Sequence, residues 1–270
     1  MKIAIFPNYE KEGTAALLKD VVELLENKGA VCVVSDKSRK AEESDEIYSD
    51  SDVIITIGGD GTIIKHAKAA AVYSKPCLGI NTGRLGFLTN LEANQIALLE
   101  KLFTNDYTTE SRMMLEVSLV NGDDVQSWLS LNDAVVSGGK VARITDIELD
   151  VSGDIINYVS DGLIISTPTG STAYSLSAGG PIIDPSVRCI TVTPICSHSL
   201  TARPMLASQS AEMTVTIPDT SRTDAVLTVD GTLCGEILSG AKVVVKKAPV
   251  DAKFINLSNS TIFKAVSRKF

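Results

Sequence analysis

Apolar residues in the N-terminal part of the chain follow a strand-then-helix rhythm. Short apolar runs fit buried strands, and stretches with apolar residues at helical spacing follow them. The pattern predicts strands at Lys2–Phe6, Val31–Val34, Val53–Ile57 and Cys77–Ile80, and helices at Thr14–Asn27, after Thr62 and at Leu91–Phe103. The acidic segment Lys37–Asp50 fits either a helix or a mobile loop. This alternation predicts a parallel sheet with helices on both faces.

Strand patterns without long helices between them fill the middle of the chain. They predict strands at Met113–Val120, Gln126–Leu131, Arg143–Val151, Ile155–Val159, Cys189–Val192, Glu212–Ile217, Ala225–Val229 and Lys242–Lys246. Turn signals such as Asn121-Gly122 separate them. A β-rich, sandwich-like second domain is therefore predicted. The tail, Phe254–Phe270, is apolar and then basic, which fits a last helix that packs back on the first domain.

Composition narrows the classes of protein. The 270 residues are 44% hydrophobic, enough for one large or two ordinary domains. A net charge of −8 argues against a nucleic-acid-binding surface, which needs clustered Lys and Arg. The start, Met1–Phe6, turns polar too soon for a signal peptide, and no apolar run approaches membrane-spanning length. We therefore expect a cytoplasmic protein without a membrane or nucleic-acid partner.

Cysteine and histidine spacing gives no metal signature. The five cysteines are scattered and odd in number, which favours buried, reduced thiols. His66 and His198 share no spacing typical of metal ligands, so we expect both to be structural.

A glycine-rich turn, Gly58–Thr62, directly follows the predicted strand Val53–Ile57. Glycines let the backbone approach an anion, and N–H groups at a helix start point at it. The predicted phosphate-loop residues are Gly58, Gly59, Gly61 and Thr62. Asp60 is out of place, because a carboxylate among phosphates is repulsive unless it holds a metal or takes a proton. The turn alone fits either a catalytic aspartate or a tight turn with Asp60 as the helix N-cap.

Other polar segments suit a nucleotide, and each also has a plainer interpretation. Asn81–Leu88 has two spaced glycines after a strand, so it is either a ligand-facing loop or an ordinary one. Asp161–Ser175 is rich in hydroxyls that suit ribose and adenine, or it is a Ser/Thr-rich turn. Leu131–Asp133 offers an amide and a carboxylate for sugar hydroxyls, or forms a turn. Asp230–Thr232 begins with a hairpin signal.

Taken together, these segments resemble the NAD kinase family, which uses ATP or polyphosphate to make NADP. The segments that carry the resemblance are Gly58–Thr62, Asn81–Leu88, Leu131–Val135, Asp161–Ser177 and Pro194–Pro204, in the family's order. The glycine–aspartate loop alone is also similar to phosphofructokinases and to diacylglycerol and sphingosine kinases. Asp161–Ser177 makes the resemblance specific.

The resemblance implies a fold, a cofactor and partners. It implies an α/β N-terminal, Rossmann-like nucleotide-binding domain at 1–108 and 252–270, and an all-β, sandwich-like NAD-binding domain at 109–251. It implies a divalent cation, Mg²⁺, with Asp60 and the donor phosphates as candidate ligands. It also implies NAD and either ATP or polyphosphate as substrates, and a homodimer or homotetramer.

Residue roles also follow from the resemblance. Asp60 is implied as the catalytic base that acts on the 2′-hydroxyl of the adenosine ribose of NAD. The implied binding residues near the NAD or the phosphates are Gly61 and Lys65, and those at ribose hydroxyls are Asn132 and Asp133. Asp161 is implied at the nicotinamide end, and the residues implied at the adenosine are Thr172, Ala173, Tyr174, Ser175 and Ser177. Two further implied contacts are Arg143, which a neighbouring subunit can supply, and Thr232. Many members have Asn-Glu where this chain has Asn132-Asp133, so the carboxylate here has a shorter stem.

Two other function classes fit parts of the sequence. A lipid or sugar kinase shares the glycine–aspartate loop, but needs an apolar entry or phosphate-binding arginines. A non-catalytic NADP(H)-sensing module shares the nucleotide segments, but gains nothing from Asp60. The sequence does not distinguish ATP from polyphosphate, or NAD from NADH.

Overall fold

The computed structural model describes residues 1–35, 45–83, 86–88, 91–139, 144–218, 225–258 and 261–269. The chain divides into two compact units, residues 1–112 with 250–270 and residues 113–249. The domain boundaries predicted from the sequence lie at 108 and 251. Arg143 and residues 37–44 of the acidic segment lie outside the described residues, as do Arg84 and Leu85.

Strands and helices alternate in the first unit. Its elements are β1 (Lys2–Pro7), α1 (Thr14–Asn27), β2 (Val31–Val34), α2 (Asp45–Ser49), β3 (Val53–Gly58), α3 (Asp60–Val72), β4 (Pro76–Asn81), β5 (Leu91–Glu92), a 3₁₀ helix (Ala93–Glu100) and α4 (Lys101–Thr104). Strands β2, β1, β3 and β4 lie side by side in parallel, in that order. This order sets the carboxyl ends of β3 and β4 next to each other.

The parallel sheet of the first unit is covered on both faces. One face, which includes Ile5 and Ile55, packs against Leu17 and Val21 of α1. The other face lies under α3, whose Ile63 is also buried. Burial on both faces explains why the strands are continuous apolar runs rather than alternating ones.

The second unit is built from strands with little helix. The remaining elements of the chain are β6 (Thr108–Asn121), β7 (Asp124–Ser130), β8 (Asp133–Gly138), β9 (Thr145–Val151), β10 (Asp154–Ser160), β11 (Gly162–Ser166), a 3₁₀ helix (Thr169–Thr172), α5 (Tyr174–Ser177), β12 (Cys189–Ile195), β13 (Met205–Ser208), β14 (Met213–Thr216), β15 (Ala225–Val229), β16 (Thr232–Ile237), β17 (Lys242–Asn256) and α6 (Ile262–Lys269). Strands β6 and β17 each run from one unit into the other.

Two sheets pack face to face in the second unit. One is a six-stranded antiparallel sheet in the order β13, β12, β11, β8, β15, β16. The other joins β10, β9, β14 and β17, and β6 pairs with β17 and with β7. A single apolar core takes residues from both, such as Val136 and Leu163 from the first and Leu149 and Val243 from the second. This is a β-sandwich.

The fold class predicted from the sequence is confirmed, an α/β unit followed by an all-β unit. The predicted helix Leu91–Phe103 is wrong at its start, where the chain forms β5 and then a 3₁₀ helix. Glu92 and Gln95 form a capping box that fixes the chain at this point. The strand predicted at Gln126–Leu131 ends one residue earlier, since β7 stops at Ser130, and Asp133 begins the next strand, β8.

Strands β8, β13 and β16 were not predicted from the sequence. Strands β13 and β16 are the two edges of the six-stranded sheet and remain half exposed. An edge strand with two accessible faces has little apolar alternation to detect.

None of the five cysteines, all of which lie in the described part of the chain, forms a disulfide bond. Cys77 and Cys189 are buried, as expected, but Cys196 is exposed, so the expectation of buried thiols is wrong there. Among the described residues, no helix combines the length and the apolar character needed to cross a membrane.

A buried aromatic cluster ties α2 to α3. The Phe6 ring stacks on the rings of His66 and Tyr48, with centroids 4.1 and 5.0 Å away. The Tyr48 hydroxyl and His66 Nδ1 share a hydrogen bond of 2.5 Å. Burial, with a smaller contribution from Lys65, lowers the pKa of His66 to about 3. His66 is therefore a neutral, structural residue, and the cluster anchors the helix that begins at Asp60.

The Tyr48–His66 hydrogen bond should contribute measurably to stability. We expect Tyr48→Phe to lower the free energy of unfolding by about 1–3 kcal/mol, because the ring nitrogen of His66 loses its partner while buried. Urea denaturation of a double-mutant cycle with His66→Phe checks this. In the His66→Phe background, Tyr48→Phe should cost much less, and equal costs in both backgrounds would contradict the pairing.

Candidate active site

The glycine-rich turn leads directly from β3 into α3. The helix begins at Asp60, and its N-cap is Gly59, which has extended backbone and no side-chain cap. Asp60 is therefore the first helical residue and not the N-cap. A helix start without a side-chain cap directs its first N–H groups outward, which suits an anion such as a phosphate.

One glycine in this turn, Gly58, is required by close packing, because a Cβ there would lie 2.5 Å from Thr62 Oγ1. A Cβ at Gly59 would lie 2.7 Å from Lys11 Nζ, the end of a flexible side chain that can move aside. A Cβ at Gly61 would meet nothing within 4 Å, so that side of the turn is open. Lys11, which sequence reasoning missed, follows β1 and brings a positive charge beside the turn.

Two other predicted residues lie on the first turns of α3. Thr62 Oγ1 accepts a hydrogen bond from Asn8 Nδ2 at 3.4 Å. Lys65 is exposed, one helical turn beyond Gly61. The phosphate-loop residues predicted from the sequence therefore lie together in this turn. Two cationic residues are nearby, Lys11 in the segment after β1 and Lys65 in α3, which follows the turn.

The Asp60 carboxylate is held by the loop that follows β4. The backbone N–H of Phe87 donates to Asp60 Oδ2 at 2.8 Å, and that of Leu88 donates to Oδ1 at 3.2 Å. A Cβ at Gly86 would lie 1.8 Å from Oδ1, so only glycine fits there. Asn81–Leu88 was expected to lie beside the turn, and its second glycine packs against Asp60. Backbone donors to both oxygens favour one orientation of an ionised carboxylate.

In the second unit, the hydroxyl-rich segment packs on Leu131 and Asn132. The Thr167 hydroxyl donates to the Leu131 carbonyl at 2.6 Å, and the Thr167 N–H donates to the Asn132 carbonyl at 2.8 Å. A Cβ at Gly170 would lie 2.1 Å from the Asn132 carbonyl oxygen. The structure thus brings together Asn132, Asp133 and the segment Asp161–Ser177. Sequence reasoning missed Thr167 and Gly170 as the residues that join them.

Asp133 is a buried carboxyl group, with 5% of its surface exposed. Burial, and then the neighbouring Asp230 carboxylate, raises the pKa of Asp133 to about 7. A carboxyl group that titrates near neutral pH is a common feature of functional sites.

The residues predicted to contact adenosine differ in exposure. Tyr174 and Ser177 are exposed, and Thr172 and Ala173 are half-buried. Ser175 is fully buried, and its hydroxyl shares a hydrogen bond of 2.9 Å with Thr193 Oγ1, which gives it a packing role in this structure.

The remaining predicted contacts are spread over the second unit. Asp161 is half-buried at the start of β11, and Thr232 is exposed at the start of β16. Arg143 lies outside the described residues.

A metal site made of protein side chains alone is not found in the described part of the chain, which holds no suitable cluster of three or more His, Cys, Asp or Glu. Asp60 offers a single carboxylate at the phosphate turn. Mg²⁺ in kinases is commonly held by one or two carboxylates together with substrate phosphates. The donor set therefore fits a Mg²⁺ ion that is bound largely through a nucleotide.

Family comparisons cover most of both units. Residues 36–107 match the family model for the ATP-NAD kinase N-terminal domain, and residues 131–257 match that for the C-terminal domain. These matches, together with an open glycine-rich turn at a helix start, define a kinase, an enzyme that transfers phosphoryl groups.

Comparisons with individual proteins support the same family as the family models. The chain is 36% identical over 278 residues to the NAD kinase of Caldanaerobacter subterraneus subsp. tengcongensis, which covers 99% of this chain and 98% of that one. It is 42% identical over 221 residues to the NAD kinase of Heliobacterium modesticaldum, covering 81% and 78% of the two chains. The chain belongs to the NAD kinase family.

Solved structures share the fold. An NAD kinase from Archaeoglobus fulgidus in complex with ATP has a TM-score of 0.77 and 26% identity, over 100% of this chain and 98% of that one. Yeast NADH kinase complexed with NADH has a TM-score of 0.85 at 23% identity, over 99% and 85% of the two chains. The second comparison supports the fold alone.

The packing of Gly86 on Asp60 gives a matched pair of variants. We expect Gly86→Ala to lower turnover by about 10²-fold, because the new methyl group displaces the carboxylate and small misplacements of reacting groups are costly. Gly83→Ala, in the same loop, adds a methyl group with nothing within 4 Å and should keep its activity. Steady-state kinetics with NAD and ATP checks both, and equal turnover in the two variants would contradict the role of Gly86.

The raised pKa of Asp133 makes stability depend on pH. The folded chain holds the Asp133 proton more tightly than the unfolded chain, so stability falls as pH rises from 3.8 towards about 7. We expect the free energy of unfolding of Asp133→Asn, measured relative to wild type, to be larger at pH 8 than at pH 5. The reason is that Asn cannot ionise, whereas Asp133 in wild type does. Urea denaturation at both pH values checks this, with Asp150→Asn, near the end of β9, as control. A gain that is the same at both pH values would contradict it.

Proposed function

We propose that this protein transfers a phosphoryl group from ATP or polyphosphate to the 2′-hydroxyl of the adenosine ribose of NAD, which produces NADP. The observation that carries the proposal is the Asp60 carboxylate, held by the Phe87 and Leu88 N–H groups at the start of a helix that is open to an anion. Family membership supplies the substrate class.

The donor phosphates bind at the glycine-rich turn. The N–H groups at the start of α3 stabilise their charge, and the open side at Gly61 admits them. Lys11 and Lys65 supply positive charge near the turn. Asp60 and the donor phosphates would hold Mg²⁺, which would supply further positive charge for the transferred group.

Asp60 acts as the base. A ribose hydroxyl is a weak nucleophile at neutral pH, and a positioned carboxylate can accept its proton or orient it while helping to hold Mg²⁺. A carboxylate has about four acceptor positions, so the bonds from Phe87 and Leu88 orient Asp60 without using all of them. Such general-base assistance is typically worth about 10²–10⁴-fold in rate.

The acceptor is held by the second unit's polar residues. Asn132 and Asp133 hold ribose hydroxyls. Tyr174 and Ser177, whose side chains are exposed and accessible to a ligand, are assigned to the adenosine. Asp161 is assigned to the nicotinamide end. The similarity to an NAD kinase in complex with ATP supports ATP as a ligand of this chain, and family membership supports NAD. A homodimer or homotetramer remains a prediction.

A coupled assay tests the reaction. Purified protein is incubated with NAD and Mg²⁺, and with either ATP or polyphosphate, and NADP is detected with an NADP-specific dehydrogenase. NADP formation supports the proposal, and the two donors separate ATP use from polyphosphate use. Absence of NADP with both donors, while NADP itself binds, would instead indicate a non-catalytic sensing module.

The role of Asp60 has a sharper test. We expect Asp60→Asn to lose about 10²–10⁴-fold in turnover, because the amide cannot accept the ribose proton. Calorimetric titration should show NAD binding within a few-fold of wild type. Full activity in this variant would rule out Asp60 as the base.

A further inference from the structure

Asp230 lies in the tight turn between β15 and β16. Its φ is 47° and that of Gly231 is 76°, both in the left-handed region that short hairpin turns require. The hairpin explains why Asp-Gly occurs here. It does not explain the contacts of the Asp230 side chain, which leaves the turn and meets a different segment.

The Asp230 carboxylate accepts hydrogen bonds from four donors in the segment that leads into β8. Oδ1 accepts hydrogen bonds from Ser130 Oγ at 2.8 Å and from the backbone N–H groups of Asn132 at 2.8 Å and Asp133 at 3.2 Å. Oδ2 accepts from the Leu131 N–H at 3.1 Å. Consecutive N–H groups that converge on one anion form a nest, which fixes their backbone.

The two segments are also joined in the opposite direction. The Asp230 N–H donates to the Asp133 carbonyl oxygen at 2.9 Å. Asp133 therefore cannot shift along its strand without breaking bonds to both the backbone and the side chain of Asp230.

Asp230 is the charged group that faces Asp133. On one side of β8, β11 places the neutral Ser166 opposite Asp133. On the other side, β15 leads into Asp230. The 3₁₀ helix Thr169–Thr172, which packs on Asn132 through Gly170, contains only Thr, Gly and Ser. Burial and the Asp230 charge therefore both act on the Asp133 carboxyl group.

We propose that Asp230 is a positioning residue that fixes Asn132 and Asp133 for the ribose hydroxyls of NAD and couples NAD binding to pH through Asp133. The inference rests on the proposed function, since it takes the NAD ribose as the ligand. Asp230 itself is assigned no contact with the nucleotide.

The coupling follows from hydrogen-bond chemistry. An ionised Asp133 accepts bonds from two ribose hydroxyls, whereas the protonated form has to use one oxygen as a donor. In the free protein the burial of Asp133, and then the Asp230 charge, favour the protonated form, so NAD binding releases a proton. The affinity for NAD should therefore rise with pH up to about 7 and then level off.

Calorimetric titration of NAD between pH 5.5 and 8.5 tests the inference. For wild type we expect the affinity to rise by about tenfold per pH unit below the midpoint, as one linked proton requires. In Asp230→Asn we expect about tenfold weaker binding at pH 8, because the nest is weakened. We also expect the midpoint to move to lower pH, because the repulsion from Asp230 is gone while the burial of Asp133 remains.

Further variants keep the test decisive. Asp133→Asn leaves Asp230 and its nest in place and should remove the pH dependence. Asp150→Asn alters an aspartate near the end of β9, whose Oδ1 accepts from the N–H of Gly153 in the following turn at 2.6 Å, and should behave as wild type. An unchanged midpoint in Asp230→Asn, or persistent pH dependence in Asp133→Asn, would overturn the inference. A wild type that makes no NADP would instead refute the proposed function.

Discussion

A carboxylate inside a folded chain needs hydrogen-bond donors, and in both units of this protein backbone N–H groups provide them. Asp60 is held by Phe87 and Leu88, and Asp230 by the segment that leads into β8. In each unit, one aspartate joins two loops that are far apart in sequence. Within each unit, the geometry of the candidate residues therefore depends on backbone positions, which glycines such as Gly86 in the first unit and Gly170 in the second make accessible.

Much of the fold was predictable because its signals are local. The apolar runs of β1, β3 and β4 and the helical spacing of α1 are read within a few residues of sequence. The glycine-rich sequence Gly58–Thr62 likewise indicates a turn that connects a strand to a helix. The family could also be predicted, because several such segments occur in a characteristic order, and the family comparisons confirm it.

What could not be predicted depends on contacts between distant residues. Asp230 was interpreted as part of a hairpin signal, which is correct, but its carboxylate also binds the N–H of Asn132, 98 residues away. The packing of Gly86 on Asp60 and of Gly170 on Asn132 likewise cannot be predicted from the spacing of residues in the sequence. The edge strands β13 and β16 were missed because half-exposed strands show little apolar alternation.

The discontinuity of the first unit has a consequence for synthesis on the ribosome. Its parallel sheet uses Lys253 and Phe254, at the end of β17, as partners of Pro76 and Cys77 in β4. That partner is translated only after all of residues 113–249, which form the other unit. Domains usually fold in the order in which they emerge. Here the later-starting unit is the first whose chain is complete. The parallel sheet that leads into α3, and so to Asp60, is completed only when Lys253 and Phe254 have been made.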